Sequence, residues 1–158
     1  MKKEFQLKSF KLEKFGVSCK YRITEIDDDG VTTENDYNVK VSRPVHRDIE
    51  LIFGSKLTDI VADILGRPKV AGEGMSEDLY IQPNAVAMSG SDDGAGIVIS
   101  GTIRTFYGDV AFRTPRIKYR ALDWDVCGPL TVLVDELTDE AYAYLFENKG
   151  EEMEVFGE

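Results

Sequence analysis

One segment of the chain, residues 104–124, carries the side chains best suited to holding a ligand. Cations and aromatic rings are interleaved in it over a short distance. Arginine and lysine bind phosphates, and aromatic rings stack on bases. Such a composition is typical of a surface that binds single-stranded nucleic acid. The predicted binding residues are Arg104, Tyr107, Arg113, Arg116, Lys118, Arg120 and Trp124.

The spacing of three of these cations predicts a shared strand face. Arg116, Lys118 and Arg120 occupy every second position, and alternate residues of a strand point to the same side. Three cations in a row repel one another unless an anion meets them. The alternative is that the aromatic side chains of the segment belong to the core and that acidic residues elsewhere neutralise its arginines.

A second basic segment lies at the start of the chain, within a protein whose net charge is −10. Residues 1–22 hold seven Lys and Arg and two Glu, and include Lys11, Lys14, Lys20 and Arg22. If strand pairing places both basic segments on one face, that face attracts nucleic acid. If a continuous acidic face dominates, the chain is a protein-interaction module that docks a basic protein, by imitating DNA or by binding a host factor.

No catalytic motif is visible. Residues 27–30 and 92–94, both Asp-rich and ending in Gly, are predicted to be turns and not metal loops. Asp123 and Asp125 would share a strand face, but the third carboxylate and the lysine of a metal-dependent nuclease cannot be placed. His46 lies beside no Ser or Cys nucleophile and is predicted to be a surface residue. We expect a protein that is not an enzyme and uses no metal or cofactor.

The first half of the sequence predicts three strands and then a helix. Apolar residues alternate from Phe5 to Leu12 and from Phe15 to Ile23, but the phase changes between Leu7 and Phe10 and again before Phe15, which indicates bulges or a turn with Gly16 as the pivot. After the turn at residues 27–30, the third strand is predicted from about Val31 to Ser42. Residues 48–65 carry one apolar stripe at helical spacing, with Asp48 as the cap. Gly54-Ser55 inside this stripe predicts a kink.

The second half predicts more strands and a final helix. Gly101 inside a strand indicates a bulge or a close backbone approach, and Pro115 indicates an edge strand or a bulge. A short apolar run, residues 130–134, precedes the last helix. The predicted elements lie near residues 79–89, 96–106, 110–122 and 138–148.

This order of elements indicates an α+β fold, with a mainly antiparallel sheet or an OB-like barrel of about six strands and two helices. A length of 158 residues suits one domain, predicted at residues 1–149, followed by an acidic C-terminal tail at 150–158. No apolar run is long enough to cross a membrane and no signal peptide is apparent, so we expect a cytoplasmic protein without membrane contact.

The tail places two apolar residues, Val155 and Phe156, among carboxylates. One interpretation is that they recruit a partner protein while the acidic residues compete for the basic groove. The other interpretation is that they add to a sheet edge.

Several short runs resemble small uncharacterised proteins encoded by bacteriophages and prophages: Ser89-Gly90, residues 96–102, Thr114-Pro115 and residues 144–147. These runs cover the second half of the chain and imply no particular activity. The layout is also similar to phage single-stranded DNA-binding proteins, which have an OB-fold and an acidic tail ending in an aromatic residue. Here Phe156 is followed by Gly157 and Glu158, and no long linker precedes the tail.

Together these observations predict a phage or prophage accessory protein that binds single-stranded nucleic acid through a basic and aromatic strand face. Its acidic surface would contact replication or host proteins. The sequence leaves open whether the chain forms a homo-oligomer.

Overall fold

The computed structural model describes residues 2–64, 80–90, 94–105, 107–119 and 124–147. The strands are β1 (Lys2–Glu13), β2 (Gly16–Ile26), β3 (Thr32–Val41), β4 (Tyr80–Ser89), β5 (Gly96–Thr105), β6 (Gly108–Arg113) and β7 (Ile117–Lys118). The helical segments are α1 (Arg47–Leu51), a π-helical turn (Ile52–Lys56), α2 (Leu57–Ile64) and α3 (Trp124–Phe146).

The strands form one open antiparallel sheet in the order β3-β2-β1-β4-β5-β6, with β7 also paired to β5. Among the described strands, β3 ends the sheet on one side, and β6 with β7 ends it on the other. The predicted α+β fold is therefore confirmed, and of the two alternatives the open sheet is the one observed.

A bulge in β1 explains the first change of phase in the sequence. Leu7 pairs with Tyr21 and Phe10 with Cys19, because the register shifts between Leu7 and Ser9. The extra residue returns Leu7 and Phe10 to the same face, and both are buried.

The turn between β1 and β2 explains the second change of phase. Gly16 has a φ of 151°, and a Cβ at this position would lie 1.9 Å from the carbonyl oxygen of Val41. Only glycine fits where two backbones approach so closely, so the predicted pivot is confirmed.

The strand predicted at 110–122 is interrupted. Backbone and hydroxyl of Thr114 pair with β5: the Thr114 N–H donates to the Ile99 oxygen at 2.9 Å, and the Ile99 N–H donates to Thr114 Oγ1 at 2.9 Å. Pro115 then follows at the sheet edge, as its missing N–H requires. Arg116 consequently lies outside any strand, so the predicted shared strand face is wrong for that residue.

Gly101 lies where the neighbouring strand bulges. The register between β4 and β5 shifts between Pro83 and Ala85. A Cβ on Gly101 would lie 2.2 Å from the Gln82 carbonyl oxygen. The predicted close backbone approach is confirmed.

The first helix follows its predicted stripe, with Ile49, Phe53 and Leu57 buried. The predicted irregularity at Gly54-Ser55 is a π-helical turn within a continuous helical run. His46, and not Asp48, is the N-cap residue, and its carbonyl accepts hydrogen bonds from Ile49 and Glu50.

The last helix begins fourteen residues earlier than the sequence predicts, at Trp124. Gly128-Pro129 resembles a helix stop, but the helix continues through it. The run at 130–134 is therefore helical, and Asp125 lies on a helix and not on a strand face.

The helical run from α1 to α2 and the last helix, α3, pack on one face of the sheet, where the core forms. Its largest fully buried side chains include Tyr144, Phe10, Phe53, Ile97 and Leu137. The opposite face is bare among the described residues: Ala87, on the central strand β4, is exposed. Nowhere in the described part of the chain is a helix long and apolar enough to span a membrane.

Candidate nucleic-acid interface

The bare face of the sheet, called here the open face, receives basic residues from both β1 and β2. Val17 and Cys19 are buried under the helices, so Ser18 and Lys20 between them point to the open face. Lys11 pairs with Ser18 and shares that face.

One row of paired residues crosses all six strand positions of the open face. The row, called the central row, consists of Lys40, Ser18, Lys11, Ala85, Ser100 and Arg113. Its three cations are exposed and are separated by small side chains. Strands lie about 4.8 Å apart, so neighbouring cations of the row stand roughly 10 to 15 Å apart. The register thus brings the two basic segments together on one face.

Two further predicted residues join this face. Lys118 pairs with Gly96, and Arg104 pairs with Tyr80 and, on its other side, with Asp109. Lys118 and Arg104 are both exposed. Asp109 lies opposite Arg104 in the register, whereas Lys118 lies opposite the uncharged Gly96.

The Arg116 side chain makes hydrogen bonds within the protein. Its Nε donates to Ser89 Oγ at 2.9 Å, and its Nη2 donates to the Ser89 carbonyl oxygen at 2.9 Å and to that of Gly94. These bonds tie the β7 edge to the β4–β5 connection. The guanidinium therefore holds this edge of the open face in place, with three of its five N–H groups donating to the protein itself.

Two other aromatic residues of segment 104–124 face the core side of the sheet, as the alternative interpretation of this segment expects. Phe112 alternates to the helix side, and Tyr119 is 6% exposed. Tyr107, by contrast, is 96% exposed in the turn after β5.

Two exposed rings instead mark one end of the sheet. Because β1 and β5 are each antiparallel to β4, the turns that follow them lie at the same end. Phe15, 78% exposed, lies in the first turn and Tyr107 in the second. Tyr80 occupies an open-face register position at this end. Phe15, Lys40 and Tyr80 were not singled out by the sequence, because only the register shows which face or end they occupy.

The remaining predicted site residues add nothing to the described face. Trp124 is the first residue of α3 and belongs to no strand. Arg120, Val155, Phe156 and the tail at 150–158 lie outside the described residues.

Arg22 is neutralised in part by β3. Its Nε donates to Asp36 Oδ1 at 2.7 Å, and Nη1 lies 3.5 Å from Glu34 Oε2. The hydrogen bond from Arg22 lowers the pKa of Asp36. This pair is exposed on the open face and keeps Arg22 from acting as a free cation.

The helix layer has the opposite charge. α3 contains five Asp and Glu and no Lys or Arg. The fold thus separates a basic sheet face from an acidic helix layer, and this separation orients any polyanion toward the sheet.

His46 is buried, contrary to the predicted surface position, because α3 packs over the start of α1. Its Nε2 lies 2.5 Å from Glu140 Oε2, and its side chain is fully buried. His46, Asp48 and Glu140 place ligand atoms within 4.8 Å of one another, which is the group best suited to a metal ion among the described residues. The hydrogen bond to Glu140 already engages one imidazole nitrogen, so the arrangement serves to join α1 to α3.

No protein-family model, curated protein or solved structure matches the chain.

Proposed function

We propose that the chain binds single-stranded nucleic acid on the open face of its sheet. The observation that carries this proposal is the central row, where Lys40, Lys11 and Arg113 stand exposed across the sheet. Small residues between them let a sugar-phosphate backbone approach closely. Binding requires no catalytic group, so the proposed protein is not an enzyme.

The position of the exposed rings favours a single strand over a duplex. Phe15 and Tyr107 at one end of the sheet are exposed enough to stack on unpaired bases, each at about 1–3 kcal/mol. Paired bases offer no free ring faces to them. A single strand lying across the central row therefore gains both phosphate and base contacts.

Fluorescence anisotropy with labelled oligo-dT and a matched duplex tests this proposal. We expect the single strand to bind and the duplex to bind more weakly. If binding neutralises four phosphates, the logarithm of the binding constant should fall with the logarithm of the salt concentration with a slope of roughly −3, at about −0.7 per phosphate. Failure of both probes to bind at low salt removes the proposal.

The acidic tail is part of the proposed function. A chain ending at Lys149 should bind oligo-dT more tightly if residues 150–158 compete for the basic face. If the two chains bind oligo-dT equally, the tail does not compete for the open face, and the proposal for the open face itself is unaffected.

A second candidate function uses the other side of the molecule. α3 presents carboxylates without a single Lys or Arg, which favours docking of a basic replication or host protein. In that case, charge changes on α3 alter partner binding and leave oligo-dT binding unchanged.

A further inference from the structure

A second surface lies on the helix side of the sheet, where the β2–β3 hairpin meets the end of α3. Five rings pack there with centroids of neighbouring pairs 5.0 to 5.9 Å apart. They line a groove of about 490 Å³. This aromatic groove is formed by Phe5, Tyr21, Tyr37, Tyr142 and Phe146.

Three of the five rings remain accessible. Tyr37, Tyr142 and Phe146 are 42%, 43% and 46% exposed. Tyr37 rests on the buried Tyr21 in a stacked pair, at 5.0 Å and 18°. Isolated exposed rings need no explanation, but three gathered at one groove mark an interaction surface.

The groove suits a cation. Its charged lining residues are Lys3, Glu4 and Glu25, and Lys3 is paired with Glu25 at 3.4 Å. α3 ends here with no basic residue in its last turn, but Arg43 from outside the helix donates to the Tyr144 carbonyl oxygen, so the helix dipole adds little negative potential to the groove. The faces of the rings are negative as well.

We propose that the aromatic groove binds an arginine side chain of a basic partner protein. A guanidinium is planar, stacks on ring faces and is weakly hydrated, so it fits this groove better than an ammonium. Asp139, an exposed carboxylate three residues before Tyr142 on α3, extends the negative surface for the neighbouring basic residues of the partner. This inference is independent of the nucleic-acid proposal, because the groove and the open face are on opposite sides of the sheet.

Isothermal titration with a capped hexa-arginine peptide tests the proposal, with capped hexa-citrulline as the uncharged probe of similar shape. The full chain should bind the arginine peptide and not the citrulline peptide. Replacing two rings with apolar side chains, Tyr142→Leu with Phe146→Leu, should weaken arginine-peptide binding at least about fivefold. Tyr107→Leu, at a ring remote from the groove, is the matched control and should bind the arginine peptide as tightly as the original chain does.

Equal binding of the two peptides would overturn the proposal, and so would an unchanged affinity in the double variant. Tyr37→Leu, on β3, provides a second variant if the α3 changes disturb folding. It should also weaken binding of the arginine peptide. Oligo-dT affinity should stay the same in all groove variants. Loss of peptide binding with intact oligonucleotide binding therefore separates this inference from the proposed function.

Discussion

Arg116 shows that a cation within a binding segment can belong to the fold instead of the ligand site. The sequence predicts that Arg116 and Lys118 share one strand face, because both are basic and they are two positions apart. The structure gives Arg116 three acceptors on the β4–β5 connection. Residue type alone could not show this, because the acceptors are far away in the sequence.

Arg116→Lys is therefore expected to affect stability more than binding. Lysine keeps the charge but cannot reproduce the forked hydrogen bonds, so the free energy of unfolding should fall by about 1 kcal/mol. Urea unfolding measures this, with Arg113→Lys as a control of unchanged stability. Oligo-dT affinity should remain within about twofold; a large affinity loss at unchanged stability would make Arg116 a ligand contact after all.

Asp36→Asn is expected to strengthen nucleic-acid binding, because it removes the nearer of the two Arg22 carboxylate partners and leaves the guanidinium with Glu34 at 3.5 Å. One more phosphate contact should make the salt slope steeper by about 0.7. The pKa of Asp36 is lowered, so the pair stabilises the fold at neutral pH and loses that effect only as the pH falls through this pKa.

Anisotropy at pH 7 with Asp36→Asn tests this. Asp139→Asn on α3 changes the net charge equally and is the matched control. If the two variants strengthen binding equally, net charge and not the open face determines the affinity.

At the scale of elements, the sequence predicts strands and the first helix well, because their apolar periodicity is strong. The bulge in β1 was visible as a phase change between Leu7 and Phe10. The start of α3 was not visible, since Gly128-Pro129 has the composition of a helix stop and only tertiary packing overrides it.

Gly16→Ala is expected to destabilise the β1–β2 hairpin. Alanine at a φ of 151° is strained, and its Cβ would meet the Val41 oxygen. The free energy of unfolding should fall by at least about 1 kcal/mol. Gly54→Ala is the control: no atom lies within 4 Å of its Cβ position, so a helix-favouring alanine should leave stability unchanged or raised.

At the scale of the whole molecule, the chain consists of two halves, each of which runs through three sheet positions and then a helix. The first strands of the halves, β1 and β4, pair at the centre of the sheet. This pairing joins basic residues that are about a hundred positions apart in sequence. Segment charges could be read from the sequence, but the central row depends on the register between strands, which local patterns do not determine.

The most direct test of the central claim compares oligo-dT affinity in two variants of equal net charge. Lys11→Gln with Lys20→Gln removes two cations from the open face, and Arg47→Gln with Lys56→Gln removes two from the helix layer. We expect the first variant to lose about tenfold in affinity at low salt and its salt slope to become shallower by about 1.4, while the second binds like the original chain. Equal losses in both variants, or none in either, would contradict the assignment of nucleic-acid binding to the open face.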